Sequence, residues 1–384
     1  MKITDNIYLD YQSSTPLDQR VMNSMEPYYS ENFGNPHSSN HIFGWKASQA
    51  IDLSIEKISE CLGCNEDEII FTSGATEANN LAIIGACLKN TNKEKNKILI
   101  SSIEHPCVIE AANFAKKFLG YEVITIPVDR CGYINQEILK TEIDKSFLLA
   151  SIMCVNNEIG VIQNLREIQS ILLPFEVLFH TDASQTPLAL NINEIIDYVD
   201  MLSLSGHKIY GPKGIGCLYI KSHLQNLINP IIQGGGQQNN LRSGTLPTPL
   251  CVGFARSLEI IKEEGSEERR KTSELRNFLF ENLKKEIPNI TINGPSINER
   301  HPMNLNIFIE GIDADDFIRS LQPKLSLSTS SACSTGEIET SHVLNAIGLD
   351  DDRARSSFRI GLGRYTVKED LKMAIKIIID RLKN

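Results

Sequence analysis

Several features are missing from this 384-residue chain, and each absence closes a class of function. No uncharged apolar run approaches the ~18 residues that a membrane-spanning helix requires, so no membrane span is expected. The opening MKITDNIYLDY carries acids where a secretory signal needs an apolar core. Nothing there directs export, and the expected location is the cytoplasm. Positive charge is also scarce, with 38 Lys and Arg against 48 Asp and Glu for a net charge of −10. Direct grip on nucleic acid needs a basic surface, so macromolecular partners are expected to be proteins. Nine cysteines are spread along the chain without the framing of a disulfide scaffold, and they read as free thiols. Cys61 and Cys64 form a CxxC at the end of the helical pattern Ile51, Ile55, Ile58, Leu62. With no second CxxC and no paired histidines beside it, no metal site is expected. GxxxxGK[ST] does not occur, which excludes a Walker-type nucleotide hydrolase. Internal repeats and low-complexity tracts are absent too.

What remains is an ordinary globular composition, 41% hydrophobic and 22% charged, on a chain long enough for two domains. Seven β-rich runs occur between residues 68 and 220: EIIFT (68–72), KILIS (97–101), EVITI (122–126), FLLASIM (147–153), VLFHT (177–181), DMLSL (200–204) and GCLYI (216–220). Helical patterns lie between most of them, which predicts an α/β fold with a mainly parallel seven-stranded sheet covered on both faces. Only a glycine-rich turn region separates the last two runs, so one of them is expected to run antiparallel. The charged stretch KEEGSEERRKTSELR (262–276) reads as a solvated helix at a domain junction. NLNIFI (304–309), a Ser-rich segment (325–341), FRIGLG (358–363) and a last helix then make a smaller α+β domain. Thr366 and Glu369 are spaced as a capping box for that helix, with Leu371, Ala374, Ile378 and Leu382 on its buried face.

In open α/β sheets, ligands bind outside the carboxyl ends of the parallel strands. The residues that follow the runs therefore share one crevice: Ser73-Gly74-Ala75-Thr76, Glu104-His105, Asn156-Asn157-Glu158, Asp182 with Gln185, and Ser205-Gly206-His207-Lys208. Gly-Ala-Thr at a helix start offers free N–H groups and a hydroxyl to a phosphate, although the same string would serve as a plain cap. Asp182, buried at a strand end, needs a cationic or hydrogen-bonding partner, and a pyridinium N–H is one. Lys208, in SGHKIYGPKGIG, could bring a poorly solvated amine of lowered pKa to the same crevice. Lys213, past the Gly-Pro turn, reads as solvated or structural. Anchor, pyridinium partner and amine are the requirements of pyridoxal phosphate. Cys107 and Cys154 read as small apolar fillers at the strand ends.

The ordered strings YLDYQSSTP, NFGNPHSSNHIFGW, FTSGATEANNLAI, EHPCV, VNNEIGVIQ, HTDASQTP, SGHKIYGPKGIG, RSGTLP and SSAC span nearly the whole chain. Together they resemble the group I cysteine desulfurases of the NifS/IscS kind, enzymes of the class V aminotransferase family with the type I fold of pyridoxal-phosphate enzymes. The resemblance implies removal of sulfur from L-cysteine, giving L-alanine and a persulfide on Cys333 that passes to an acceptor protein. Lys208 would hold the cofactor covalently, and His105 would stack on its ring and take part in proton transfer. Asp182 would pair with the pyridine nitrogen and Gln185 with the ring hydroxyl. Ala75, Thr76, Ser205 and His207 would hold the phosphate, and Thr245 would complete the phosphate site of the other subunit of a homodimer. Asn157 and Arg359 would hold the substrate carboxylate.

A lone cysteine is usually a packing residue, but the Ser-rich surroundings of Cys333 and the SSAC match assign it catalysis. The division implied is 16–260 as the large domain, with 1–15 and 261–384 as the small one. A selenocysteine lyase or an aminotransferase on the same fold is the neighbouring alternative, which the Cys333 segment disfavours. Iron–sulfur cluster assembly, tRNA thiolation and DNA phosphorothioation are the destinations of sulfur that the family serves. The chain ends at Asn384, where IscS-like housekeeping members carry a further tail, which weakens a housekeeping assignment and leaves NifS-like or specialised roles, DNA phosphorothioation among them, open.

Overall fold

The computed structural model describes residues 6–329 and 340–383. All seven expected strands form: β1 (Ile69–Thr72), β2 (Lys97–Ser101), β3 (Glu122–Ile126), β4 (Phe147–Ser151), β5 (Leu178–Asp182), β6 (Met201–Ser205) and β7 (Gly216–Ile220). They build one sheet in the order β1-β7-β6-β5-β4-β2-β3. Pairing is parallel from β6 across to β3, while β7 is antiparallel to both β6 and β1. The reason is chain length. A parallel return needs a crossover of a dozen or more residues, and the connection 206–215 is too short for one.

Successive side chains leave opposite faces of a strand, and both faces are covered here. Phe71, Leu99, Phe179 and Leu204 enter one core with Ile58 and Phe254, from α1 (Ile42–Leu62) and α4 (Thr248–Glu286). Ile70, Ile98, Leu149 and Leu218 enter the other with Leu81 and Val108, from α2 (Ala75–Lys89) and α3 (Pro106–Leu119). Burial on both faces is why most of the strands, the edge strand β3 excepted, read as largely apolar runs. A second, antiparallel sheet has the order β10-β11-β9-β8, with β8 (Thr291–Ile292), β9 (Asn304–Phe308), β10 (Ser328–Thr329) and β11 (Ser357–Gly361). Its separate core joins Leu9, Leu279, Leu305, Phe358 and Leu371. The helix α6 (Lys368–Leu382) completes this layer, while α5 (His342–Ala346) packs Val343 and Leu344 against Ile103 and Met153 at the edge of the large sheet. No helix among the described residues is long and apolar enough to cross a membrane.

Two local expectations fail. The capping box at Thr366 does not form: α6 starts with Val367 as its N-cap and no side-chain cap, while the Thr366 hydroxyl accepts the Gly363 N–H at 3.0 Å. The charged stretch 262–276 is helical, as the middle of α4, but it is not simply solvated. Glu268, Thr272 and Arg276 are buried, because the small layer packs across this face of the helix.

The contact there is ionic. Arg364 bonds Asp18 at 2.7 Å and Glu268 at 2.8 Å, and its guanidinium lies 4.1 Å from the centre of the Tyr210 ring. Its backbone N–H donates to the Tyr210 hydroxyl at 2.6 Å. One cation thus ties the chain start, α4, the last layer and the turn after Lys208. Hydrogen bonds from Arg20, with Arg364 adding to them, hold the Asp18 carboxyl well below the usual carboxylate range. Losing one partner of a buried pair leaves the other charge uncompensated, at a cost of about 3–5 kcal/mol. Arg364→Met is therefore expected to lower stability by that amount in equilibrium urea unfolding, and Arg364→Lys by less. A Met variant as stable as the parent would remove this junction from the account.

Candidate active site

The carboxyl ends of β1, β2, β4, β5 and β6 open onto one cavity of about 550 Å³. Two glycines allow its shape. Gly74 sits at φ 149°, ψ −179°, a backbone region that is essentially glycine-only, and it turns β1 into the start of α2. Gly216, on the neighbouring strand β7, lets that turn pass: a Cβ there would stand 2.8 Å from the Gly74 Cα. Ala75, Thr76, His105, Asn157, Asp182, Gln185, Ser205, His207 and Lys208 all line the cavity. Arg359 lies just behind the wall, donating to the Asn157 carbonyl at 3.0 Å. Thr245 is exposed and does not line this cavity. Cys333 lies outside the described residues.

Lys208 Nζ donates to the backbone carbonyls of Gln12 at 2.7 Å and Ser13 at 2.8 Å. Burial, with the charge of Arg359 adding to it, brings its pKa down to about 8, and Asp182 and Asp10 oppose the shift. Gln185 reaches the same Gln12 carbonyl at 2.9 Å. Asp182 is 5% exposed and fully engaged: Oδ2 accepts from Asn79 Nδ2 at 2.7 Å, and Oδ1 accepts from the Ser184 N–H and hydroxyl at 2.9 and 2.6 Å. His105 is the N-cap of α3. Desolvation in the cavity wall holds its imidazole below the usual histidine value, Lys208 and His342 contribute in the same direction, and Asp182 pulls the other way.

The far end of the cavity is cationic. The first N–H groups of a helix have no intrahelical acceptor, and those of Ala75 and Thr76 open α2 here. Beside them, burial first and then the charges of Lys208 and Lys213 press His207 down to about 4. Lys213 is exposed, as read from sequence, but it also lines the cavity rim. Glu77, the acid in the first turn of α2, is neutralised by Arg242 at 2.7 Å.

Some contributors carried no sequence signal of their own. The segment 10–14 supplies two carbonyls to Lys208, the Ser13 hydroxyl and Asp10 carboxylate to Arg359 at 2.7 and 2.8 Å, and the Ser14 hydroxyl to His207 at 3.2 Å. Only its place in the ordered motif set pointed to it. Glu104, placed among the crevice residues by the sequence, is fully buried behind the wall, where burial pushes its carboxyl up to about 8. Cys154 is a buried filler as expected. Cys107 is not: it lines the cavity, and its sulfur lies 3.0 Å from His105 Nδ1 and 3.1 Å from Asn79 Nδ2.

The Aminotransferase class-V family pattern matches residues 7–373. The chain belongs to the class V aminotransferase family. Cysteine desulfurase IscS of Rickettsia typhi is 42% identical to it over 386 aligned residues, covering 99% of this chain and 93% of that protein. Among solved structures, a NifS-like protein superposes with a TM-score of 0.91 at 33% identity, covering 98% of this chain and 99% of the other. SspA in complex with cysteine superposes with a TM-score of 0.81 at 36% identity, covering 94% and 99%. This family member thus has the type I fold.

Class V aminotransferases and cysteine desulfurases are pyridoxal-phosphate enzymes, and the donor set present is of the kind that group requires. Unsatisfied helix-start N–H groups and His207 could take the phosphate, the buried Asp182 carboxylate the pyridine nitrogen, and the Lys208 amine the aldehyde. A group with a pKa near 8 is half neutral at that pH, whereas a free lysine is neutral only near 10.4. In cofactor-free protein, the rate at which Lys208 reacts with a small aldehyde should rise through a midpoint near pH 8 and then level off. A midpoint near 10.5, or an unchanged profile in Lys208→Ala, would remove Lys208 as the reactive amine.

Proposed function

We propose that the protein is a cysteine desulfurase that uses pyridoxal phosphate to convert L-cysteine to L-alanine, leaving the sulfur as a persulfide on Cys333 for an acceptor protein. The observation that carries this reading is the meeting of Lys208, His105 and Asp182 on one cavity, in a chain 42% identical over nearly its full length to a cysteine desulfurase. Bound pyridoxal phosphate supplies an electron sink conjugated to the substrate Cα. Lys208 Nζ would hold the cofactor, and its free amine would take the proton from the substrate Cα. Its two carbonyl partners keep the amine aimed while it is neutral. Asp182, held by Asn79 and Ser184, would pair with the pyridine nitrogen. Gln185 bonds the ring hydroxyl, and Ala75, Thr76, Ser205 and His207 hold the phosphate. Arg359 and Asn157 take the substrate carboxylate, a task suited to a planar guanidinium fork.

Cys333 acts as a thiolate, since the thiol is a poor nucleophile. It attacks the substrate sulfur, so that an S–S bond forms as the C–S bond breaks and the carbon fragment leaves as alanine. The division is placed at residues 16–260 against 1–15 with 261–384: Leu9 joins the C-terminal core, while Tyr11 and Met303 pack into the large core and Val343 and Leu344 meet Ile103 and Met153 across the boundary. The working unit is a homodimer. An exposed aromatic run, including Phe33 at 66% and Trp45 at 54%, offers the face for a second copy, whose Thr245 completes the phosphate site.

The deciding measurement is the yield of alanine and sulfide from L-cysteine with a reductant present. Cys333→Ser should abolish turnover while keeping the bound yellow cofactor, and Lys208→Ala should lose the covalent attachment that Lys213→Ala retains. Alanine production by Cys333→Ser at the parental rate would sink the nucleophile assignment. By light scattering, the protein should show about twice the 42.9 kDa chain mass, and Phe33→Asp with Trp45→Asp should bring it toward one chain. An unaltered dimer in that double variant would move the interface elsewhere.

A further inference from the structure

We propose that Asn79 and Cys107 are positioning residues that carry the direction set by the Asp182 carboxylate to His105, holding its imidazole as the Nε2–H tautomer. Each donor in this chain is forced by the one before it. A carboxylate only accepts, so the Asn79 atom 2.7 Å from Asp182 Oδ2 is its NH2 group. Turning the amide over would set its oxygen against the carboxylate, in a residue that is 0% exposed. The second N–H of that amide meets Cys107 Sγ at 3.1 Å, which makes the sulfur an acceptor on that side. Cys107 is a thiol, because burial and the nearby Asp182 charge push it up to about 12. Its S–H is therefore free to donate to His105 Nδ1, 3.0 Å away. The Cys107 backbone N–H donates to the same nitrogen at 3.2 Å.

With two donors converging on it, Nδ1 is an acceptor, and the proton of the neutral ring sits on Nε2. The other polar groups around the pair do not reverse this order. The Thr76 side chain adds a hydrogen-bonding neighbour to the sulfur. Lys208 and His342 act on His105 as like charges that favour the neutral ring, and Asp182 is the one opposing charge. The consequence rests on the reading of His105 as the proton-handling histidine of the site. It would meet substrate with a defined tautomer, set through Asn79 and Cys107 rather than by His105 alone.

The test is the ring tautomer itself, read in the full-length, cofactor-loaded protein labelled with 15N in the histidine rings, with His105 signals identified by their loss in His105→Gln. Near pH 8 the parent should show the Nε2–H form. Cys107→Ala, which keeps the backbone donor and loses the S–H, should lower the ratio of Nε2–H to Nδ1–H roughly fivefold, the weight of about one hydrogen bond. Cys107→Ser, which keeps a donor at that place, should restore it. An Nδ1–H parent, a change of under about twofold in Cys107→Ala, or a Ser variant that behaves like Ala overturns the proposal. Turnover does not enter this readout, so failure of the desulfurase assay and failure of the relay are separate results.

Discussion

An ammonium withdrawn from water must find other acceptors or give up its proton, and Lys208 does part of each. Its acceptors are the carbonyls of Gln12 and Ser13, and its proton is loosened by burial and by Arg359. That requirement fixes the course of the chain start. Residues 10–15 must run beneath the β6 end, and they are secured on both sides: Asp10 bonds Arg359 of β11 at 2.8 Å, and the Thr15 N–H donates to the His207 carbonyl at 2.9 Å. Leu9, just before, belongs to the small core. The segment that solvates the lysine is thus the one that joins the two layers, and the Arg364 junction with Asp18 and Tyr210 continues the same seam. Tyr210, two residues past Lys208, is held at φ 61°, a conformation a bulky residue adopts only where its surroundings determine it. Stability at the seam and placement of the amine share residues.

Most strands could be read because burial on both faces keeps formal charges out of their middles, even where His180, Thr181 and Ser203 are buried within them, and the crevice residues could be read because each ends or follows a strand. What could not be read has a common physical form. Backbone carbonyls have no residue signature, so the role of Gln12 and Ser13 had no local mark. Partners far apart in sequence, such as Glu77 with Arg242 or Glu268 with Arg364, look like solvated charges until the fold joins them. Glu268 belongs to a charged run whose composition described its exposed face correctly and its buried face wrongly. At Thr366 the spacing suited a capping box, yet the hydroxyl is taken by the turn before the helix. Cys107 has the size of a filler, and only the position of Asn79 relative to Asp182 gives its sulfur a polar task.

A net charge of −10 and a cationic cavity are compatible because the two act over different distances. Solvent-exposed charges beyond about 8–10 Å are screened at physiological salt, whereas the cavity groups are close and poorly solvated. Burial first, and then the charges of Lys208 and Lys213, press His207 down to about 4. The nearest acid on α2, Glu77, is already neutralised by Arg242. A phosphate placed there would reverse the field that keeps His207 neutral, since an opposite charge favours the protonated form. Linkage makes the effect mutual: whatever the anion adds to proton affinity at His207, the proton adds to anion affinity. An anion bound at that end of the cavity would therefore raise the charge on His207 and be held more tightly for it.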